Sequence, residues 1–423
     1  MLLLSFALAA DIREPLTDLV SPIVDEGLVG ALVVAVIADG EVRYLSFGRM
    51  ALDGTRVADK NSGFEIGSVS KVFTGLLLAE AVRRGEVQLS DPASKHLGIE
   101  LPTWQGVPIT LLDLATHTSG LPRLQPQFDP PDPSDPYATA TWDTIESSLT
   151  GLELDDKPGD TYLYSNLGVA ILGEALSRAA GQPFAQLVEQ RITGPLRMES
   201  TTVDASEIIE GHDPDGLAVA PWTLQSYAPA GGIHSTPRDL ARFVAAHLNP
   251  SSELAPSVDL ATRKHRPLGA HGSIGLLWHR TANGVVWHNG QTGGFHSLIA
   301  FKPDAQVGII ALGDTATDLV DQVGFAALQL VVGQQPEPIP ITRSISIDPE
   351  VLASYPGKYG PASIEQIDGV LWLQLPDQPK HRLWAETESS FFLRTAPVKL
   401  RFEGKKLLFD QDGVAHQEWR RRR

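Results

Sequence analysis

Two features of the sequence predict a mixed α/β fold of the α+β kind. Strand signals lie at both ends of the main body, with helical periodicity between them. A Pro-rich join near residue 340 is then followed by short strand candidates separated by turns. The first feature calls for a sheet built from both termini and flanked by helices. The second calls for a small, separate antiparallel β domain.

The elements follow in chain order. "ALVVAVIADGEVRYLSFGRM" (Ala31 to Met50) reads as a hairpin turning at Asp39-Gly40. "KVFTGLLLAEAVRRGEV" has apolar residues at helical spacing and stops near Gly85. "ITLLDLATHTSGLP" starts with Thr110 placed as an N-cap and breaks at "TSGLP". The Pro- and Asp-rich "QFDPPDPSDPY" is a surface loop suited to the rim of a cleft. Asn166 to Ile192 reads as two helices split by Gly181-Gln182-Pro183, and Ser235 to Leu248 as another, begun by Ser235 or Thr236. "GVVWHNG" and a hairpin around Pro303-Asp304 return to strand, and "LVDQVGFAALQLVVG" closes the body as a helix. Past the join, "SIEQIDGVLWLQL", "HRLWAE", "SFFLRT" and "VKLRFEGKKLLFD" suit a small sheet or barrel. These signals divide the chain into a body over 11–338 and a β-barrel-like domain over 345–423. The basic ending "EWRRRR" reads as a solvated terminus.

The 423 residues carry a formal net charge of −17, which disfavours nucleic acid and anionic membrane surfaces, both of which need a basic face. The absence of cysteine excludes disulfides, thiolate nucleophiles and Cys-based zinc sites, and leaves the redox compartment open. The histidines have no HExxH-type spacing, so no metal site is expected. "MLLLSFALAA" has a short apolar run ending in small residues but lacks a basic start. Residues 1–10 are read as a signal remnant, implying a periplasmic or secreted protein, with a cytoplasmic one as the alternative. No stretch reaches the length of a membrane span.

Three short segments carry candidate chemistry. In "FEIGSVSKVFTG", Ser68 and Lys71 fall one helical turn apart on one face. A serine needs a base to become a nucleophile, and a lysine serves if burial and nearby positive charge lower its pKa. Helix capping by the serine is the alternative reading. In "DTYLYSNLGVAIL", Tyr164 could relay a proton and Asn166 could bind a carbonyl or orient Lys71; a packed tyrosine beside an N-capping asparagine is the alternative. In "VVWHNGQTGGFHS", a strand bearing His288, Asn289 and Gly290 leads into a glycine-rich turn. Small residues there let a substrate lie beside the strand, and the Gln291 N–H could complete an oxyanion hole. A structural histidine is the alternative for His288.

Together, in this order and spacing, the three segments resemble the serine β-lactamase and penicillin-binding protein superfamily, with its S-x-x-K, Tyr-x-Asn and Lys/His-x-Gly motifs. The class C β-lactamase branch, which includes DD-peptidases and family VIII carboxylesterases, is the nearest match. "LLDLATHTSGLP" and "PAGGIHSTPRDLARF" add to the likeness, which spans about residues 20–335. The resemblance implies a β-lactamase/transpeptidase-like fold: an antiparallel sheet flanked by helices plus an all-helical subdomain. "YPGKYG" (Tyr355 to Gly360) resembles the start of the lipocalin-like domain appended to many members.

Carried over to this chain, the pattern makes Ser68 the acylated nucleophile, Lys71 its proton partner and Tyr164 the general base or relay. Asn166, His288, Asn289, Gly290 and Gln291 would bind substrate, with the Ser68 and Gln291 N–H groups holding the oxyanion. The chain departs from efficient class C enzymes at His288, where they carry a lysine. A histidine is only partly charged near neutral pH, so activity on carboxylate-bearing substrates is expected to rise as His288 protonates. The implied function is a serine hydrolase acting through an acyl-enzyme on β-lactam or D-amino-acid peptide amides, using a small-molecule or peptide substrate and no cofactor. A family VIII-type carboxylesterase and a non-catalytic penicillin-binding or scaffold protein are the alternatives.

Overall fold

A computed structural model describes residues 12–50, 56–203, 207–249, 251–376, 378–411 and 414–421. The proposed signal remnant lies outside them. The chain divides into two compact units, one comprising residues up to 24, 29–213 and 218–339, the other 25–28, 214–217 and 340–423.

The larger unit is organised by an eight-stranded antiparallel sheet. Its spatial order is Glu41–Gly48, Ala31–Ala38, Val307–Gly313, His296–Lys302, Val286–Gln291, His279–Arg280, Ser273–Ile274 and Arg266–Pro267. The N-terminal hairpin thus pairs directly with the strand nearest the unit's end, with Leu32 opposite Gly313. Its turn is tight because Asp39 and Gly40 both take positive φ (51° and 77°), the geometry that suits a two-residue hairpin loop.

Ala31–Ala38 and Val307–Gly313 are buried along their whole length, so both faces of the sheet are covered. Strand alternation shows by what. A Cβ on Gly308 would meet Val244 of helix Pro237–Leu248, whereas one on Gly313 would meet Val320 of helix Leu319–Val331. Positions of opposite parity point to opposite faces, so the two helices sandwich the sheet. The helical region centres on Ser70–Arg83, which is buried from Ser70 through Ala81. A helix buried all round is mostly apolar, and the polar exceptions in "VFTGLLLAEA" are paired: Thr74 Oγ1 donates to Pro229 O at 2.7 Å, and Glu80 accepts from Arg83 and Ser257. Phe73 stacks on Phe243 with ring centroids 4.2 Å apart, and deleting such a ring costs about 3–5 kcal/mol.

The local signals agree closely with the elements. Thr110 caps Leu111–Ala115 in a reciprocal capping box with Asp113, and Thr236 caps Pro237–Leu248. Helix Asn166–Ala180 ends at Gly181 in the left-handed conformation, and Phe184–Val188 follows. The Pro-rich loop 128–137 has no regular structure.

The smaller unit contains antiparallel sheets of four and five strands, joined in chain order from Gly357–Tyr359 to Val414–Arg420. A bridge between Tyr359 and Arg421 links its first strand to its last segment. Tyr359, Ile364, Leu373, Phe391, Leu400 and Leu407 form its core. Among the described residues, no helix is long and apolar enough to cross a membrane.

Candidate active site

The nucleophile segment is held by its backbone before any side chain acts. Phe64–Glu65 pairs with His234–Ser235, Ile66 N donates to Ile233 O at 3.1 Å, and Ser297 Oγ donates to Ile66 O at 2.7 Å. Gly67–Val69 forms a single 3₁₀ turn that leads into Ser70–Arg83. Neither that turn nor the helix has a side-chain N-cap, so Ser68 is not a capping serine. Ser70 instead accepts from Ile233 N at 2.9 Å, which ties the helix start to the segment leading into His234–Ser235.

Ser68 and Lys71 meet as their spacing predicts, with Lys71 Nζ 2.8 Å from Ser68 Oγ. Lys71 is fully buried and also donates to Ala230 O at 2.6 Å. Burial, helped by the positive charge of Arg123, pushes its pKa well below that of a free lysine. Tyr164 joins from the segment before helix Asn166–Ala180. Its ring centroid lies 4.9 Å from Lys71 Nζ, on the side where Lys71 meets Ser68. Burial raises the Tyr164 pKa, opposed by Ser68 and the Arg123 charge, so the group rests as a phenol. Ser165, not Asn166, caps the helix, accepting from Gly168 N at 2.8 Å. Asn166 is thereby free to donate Nδ2–H to Tyr137 OH at 3.3 Å, while its buried Oδ1 has no protein partner.

Strand Val286–Gln291 runs alongside Ser68 so closely that only glycine fits at two positions. A Cβ on Gly290 would lie 2.1 Å from Ile66 O and 2.6 Å from Ser68 N. One on Gly67, whose φ is +48°, would lie 2.7 Å from Gln291 N. These approaches bring the Ser68 and Gln291 backbones to one cavity. The Gln291 side chain pairs with His296 Nδ1 at 2.9 Å.

Two expectations on this strand need correction. Asn289 points to the other face of the sheet, where its Nδ2 donates to Asp321 Oδ2 at 2.6 Å, so its side chain is not placed to bind substrate. Strand alternation requires this, since Asn289 has the opposite parity to His288 and Gly290. His288 does face the Tyr164 side, with ring centroids 6.5 Å apart, but it is only 1% exposed. Its pKa is pushed well below the usual value by burial, then by His279 and Lys71. A group so enclosed stays neutral, and it cannot present the protonated imidazole expected for a substrate carboxylate. His117 and His279 complete this neutral packing: the His117 ring sits 4.4 Å from that of Tyr164, and burial lowers His279 to about 4. Among the described residues, no group of three or more metal-ligating side chains gathers to hold an ion.

The cavity over Ser68 has a volume of about 340 Å³. Besides Ser68, Asn166 and Gln291, it is lined by Arg123, Tyr137, Trp222 and Tyr227. None of these four lies in the three motif segments, although Tyr137 ends the Pro-rich loop expected at the cleft rim. Glu65 adjoins the nucleophile turn with no chemical signal of its own in the sequence. Its buried carboxylate accepts from Trp222 N at 2.8 Å and from Thr292 Oγ1 at 2.6 Å, joining two walls of the cavity.

Comparison with known proteins gives this geometry a context. A family model described as Beta-lactamase matches residues 16–332. D-alanyl-D-alanine-carboxypeptidase/endopeptidase AmpH of Escherichia coli K12 is 31% identical over 309 residues, 64% of this chain and 76% of that protein. A β-lactamase of the same organism is 27% identical over 361 residues, 73% of this chain and 90% of that protein. Among solved structures, a β-lactamase/D-alanine carboxypeptidase from Yersinia pestis complexed with citrate superposes with a TM-score of 0.65 at 26% identity, over 76% of this chain and 99% of its own. The octameric penicillin-binding protein homologue of Pyrococcus abyssi shares the fold, with a TM-score of 0.68 at 20% identity over 97% of this chain and 100% of its own. The chain therefore belongs to the beta-lactamase family.

Proposed function

We propose that this chain is a serine hydrolase that forms and hydrolyses an acyl-enzyme at Ser68, acting on β-lactam or D-amino-acid peptide amides. The observation that carries this reading is the 2.8 Å approach of Ser68 Oγ to a fully buried Lys71 whose pKa is strongly lowered. As a neutral amine, Lys71 keeps an N–H on Ala230 O and turns its lone pair towards Ser68. It takes the serine proton while Oγ bonds to the substrate carbonyl carbon. The carbonyl oxygen, now an anion, sits between the Ser68 and Gln291 N–H groups. Tyr164, a phenol beside Lys71 and Ser68, relays the proton to the leaving nitrogen as the C–N bond breaks. Water then attacks the ester by the reverse proton route and frees Ser68. Asn166 Oδ1, buried and without a protein partner, is an acceptor for a substrate amide N–H.

A carboxylesterase is the second reading, favoured by the neutral, enclosed His288 where a lysine would stand in efficient class C enzymes. One experiment separates the two. The purified chain and Ser68→Ala are incubated with a fluorescent penicillin, a D-alanyl-D-alanine peptide and a p-nitrophenyl ester. Penicillin labelling or peptide cleavage that depends on Ser68 supports the first reading, and ester turnover alone supports the second. A wild-type chain that neither acylates nor turns over any probe refutes catalysis and leaves the non-catalytic alternative.

A further inference from the structure

With His288 neutral and Lys71 buried, the site needs another source of positive charge if its substrate is an anion. Arg123 is the single charged residue among the described residues lining the cavity over Ser68. Its side chain is exposed there, with the guanidinium carbon 5.2 Å from the Tyr164 ring centroid. Its backbone is firmly fixed. Arg123 O accepts from Asn166 N at 2.9 Å and Leu167 N at 3.2 Å, and Ser165 Oγ donates to the preceding Pro122 O at 2.6 Å. The start of helix Asn166–Ala180 therefore sets Arg123 at the same time as it sets Asn166 and Tyr164. No carboxylate among the described residues lines the cavity beside Arg123, although the chain as a whole is strongly acidic.

We propose that Arg123 is the anion-selecting residue of this site, binding a carboxylate on the substrate in the role that the sequence pattern gave to position 288. The proposal rests on the acyl-enzyme reading above. A guanidinium presents paired N–H donors that match a carboxylate edge to edge. Tyr137, Trp222 and Tyr227 line the same cavity as Arg123, so the rest of such a substrate has aromatic faces to pack against. The charge also reaches inward, since it helps lower the pKa of Lys71 and opposes the rise at Tyr164. An anion bound at Arg123 would therefore sit beside the groups that move the proton.

The test uses two matched pairs of esters: hemisuccinyl against butyryl p-nitrophenyl esters, and 3-carboxyphenyl against phenyl acetates. The first pair places the carboxylate on the acyl side and the second on the leaving side. The readout is the anionic-to-neutral ratio of kcat/KM, from which any general loss of activity cancels. In Arg123→Gln at least one ratio should fall about threefold to fivefold, and Arg123→Lys should recover part of it. The favoured ratio should also decline with added salt in the wild type and lose that dependence in Arg123→Gln. Unchanged ratios for both pairs in Arg123→Gln, with turnover still dependent on Ser68, overturn the assignment of Arg123 alone. No Ser68-dependent turnover of any probe removes the acyl-enzyme reading and this proposal with it.

Discussion

Replacing Gly290 by alanine tests whether the close approach of strand and nucleophile is what makes the site. The added Cβ would lie 2.1 Å from Ile66 O, 2.6 Å from Ser68 N and 2.8 Å from Ser297 Oγ. Reaching even a 3.0 Å contact with Ile66 O requires a separation of about 0.9 Å, and all the closest atoms belong to the segment that carries Ser68 or its strap. Neither side yields easily. The strand is paired through Gly290 to Ser297, and the Ser297–Ile66 bond must lengthen or break, at about 1 kcal/mol. A displacement of about 1 Å between nucleophile and oxyanion donors costs about 100-fold in rate, or about 2.7 kcal/mol of transition-state stabilisation. The assay is the second-order rate of acylation by a fluorescent penicillin or p-nitrophenyl ester, with folding followed by thermal melting. We expect Gly290→Ala to remain folded and to lose about 100-fold in acylation. Acylation within about threefold of wild type, in a folded variant, would refute the reasoning that this contact positions the oxyanion hole.

Three further substitutions probe the charges around the site. Because burial and Arg123 lower the Lys71 pKa, acylation should rise with pH along a limb well below the ordinary lysine value, as the ammonium becomes an amine. Arg123→Gln removes a positive charge and should move that limb to higher pH, and an unmoved limb would contradict the coupling. Lys71→Arg, which stays protonated, should lose about 10²–10⁴-fold across the whole profile. Burial raises the Glu65 carboxyl above the usual range, opposed by its bonds from Thr292 and Trp222. The folded state thus binds that proton more tightly than the unfolded chain, a contribution that favours folding at acid pH and is lost as pH rises through the folded value. Glu65→Gln should therefore gain stability relative to wild type as pH rises from acid to neutral, measured by chemical denaturation at each pH. A difference that does not vary with pH would show that Glu65 carries no such cost.

The parts of this protein legible in its sequence are those governed by local geometry. Asp39-Gly40 makes a two-residue turn because those residues tolerate positive φ, and Thr110 and Gly181 mark helix ends by satisfying backbone groups. Ser68 and Lys71 meet because three residues make about one helical turn. The alternation of strand Val286–Gln291 was legible too, and on its own it places Asn289 on the face away from His288 and Gly290. What tertiary structure decided was the environment of each group. His288 has the residue type of a titrating cation, but enclosure beside His279 and Tyr164 leaves it neutral. Arg123 lies outside all three catalytic motifs, yet the helix start at Asn166 fixes its backbone so that its charge lines the cavity. Glu65 stands one residue from the nucleophile turn, but only the folded chain brings Trp222 and Thr292 to its two oxygens. Sequence determines which groups a turn or a strand can present. Burial and charge, which set their protonation and reach, depend on segments more than a hundred residues away in the chain.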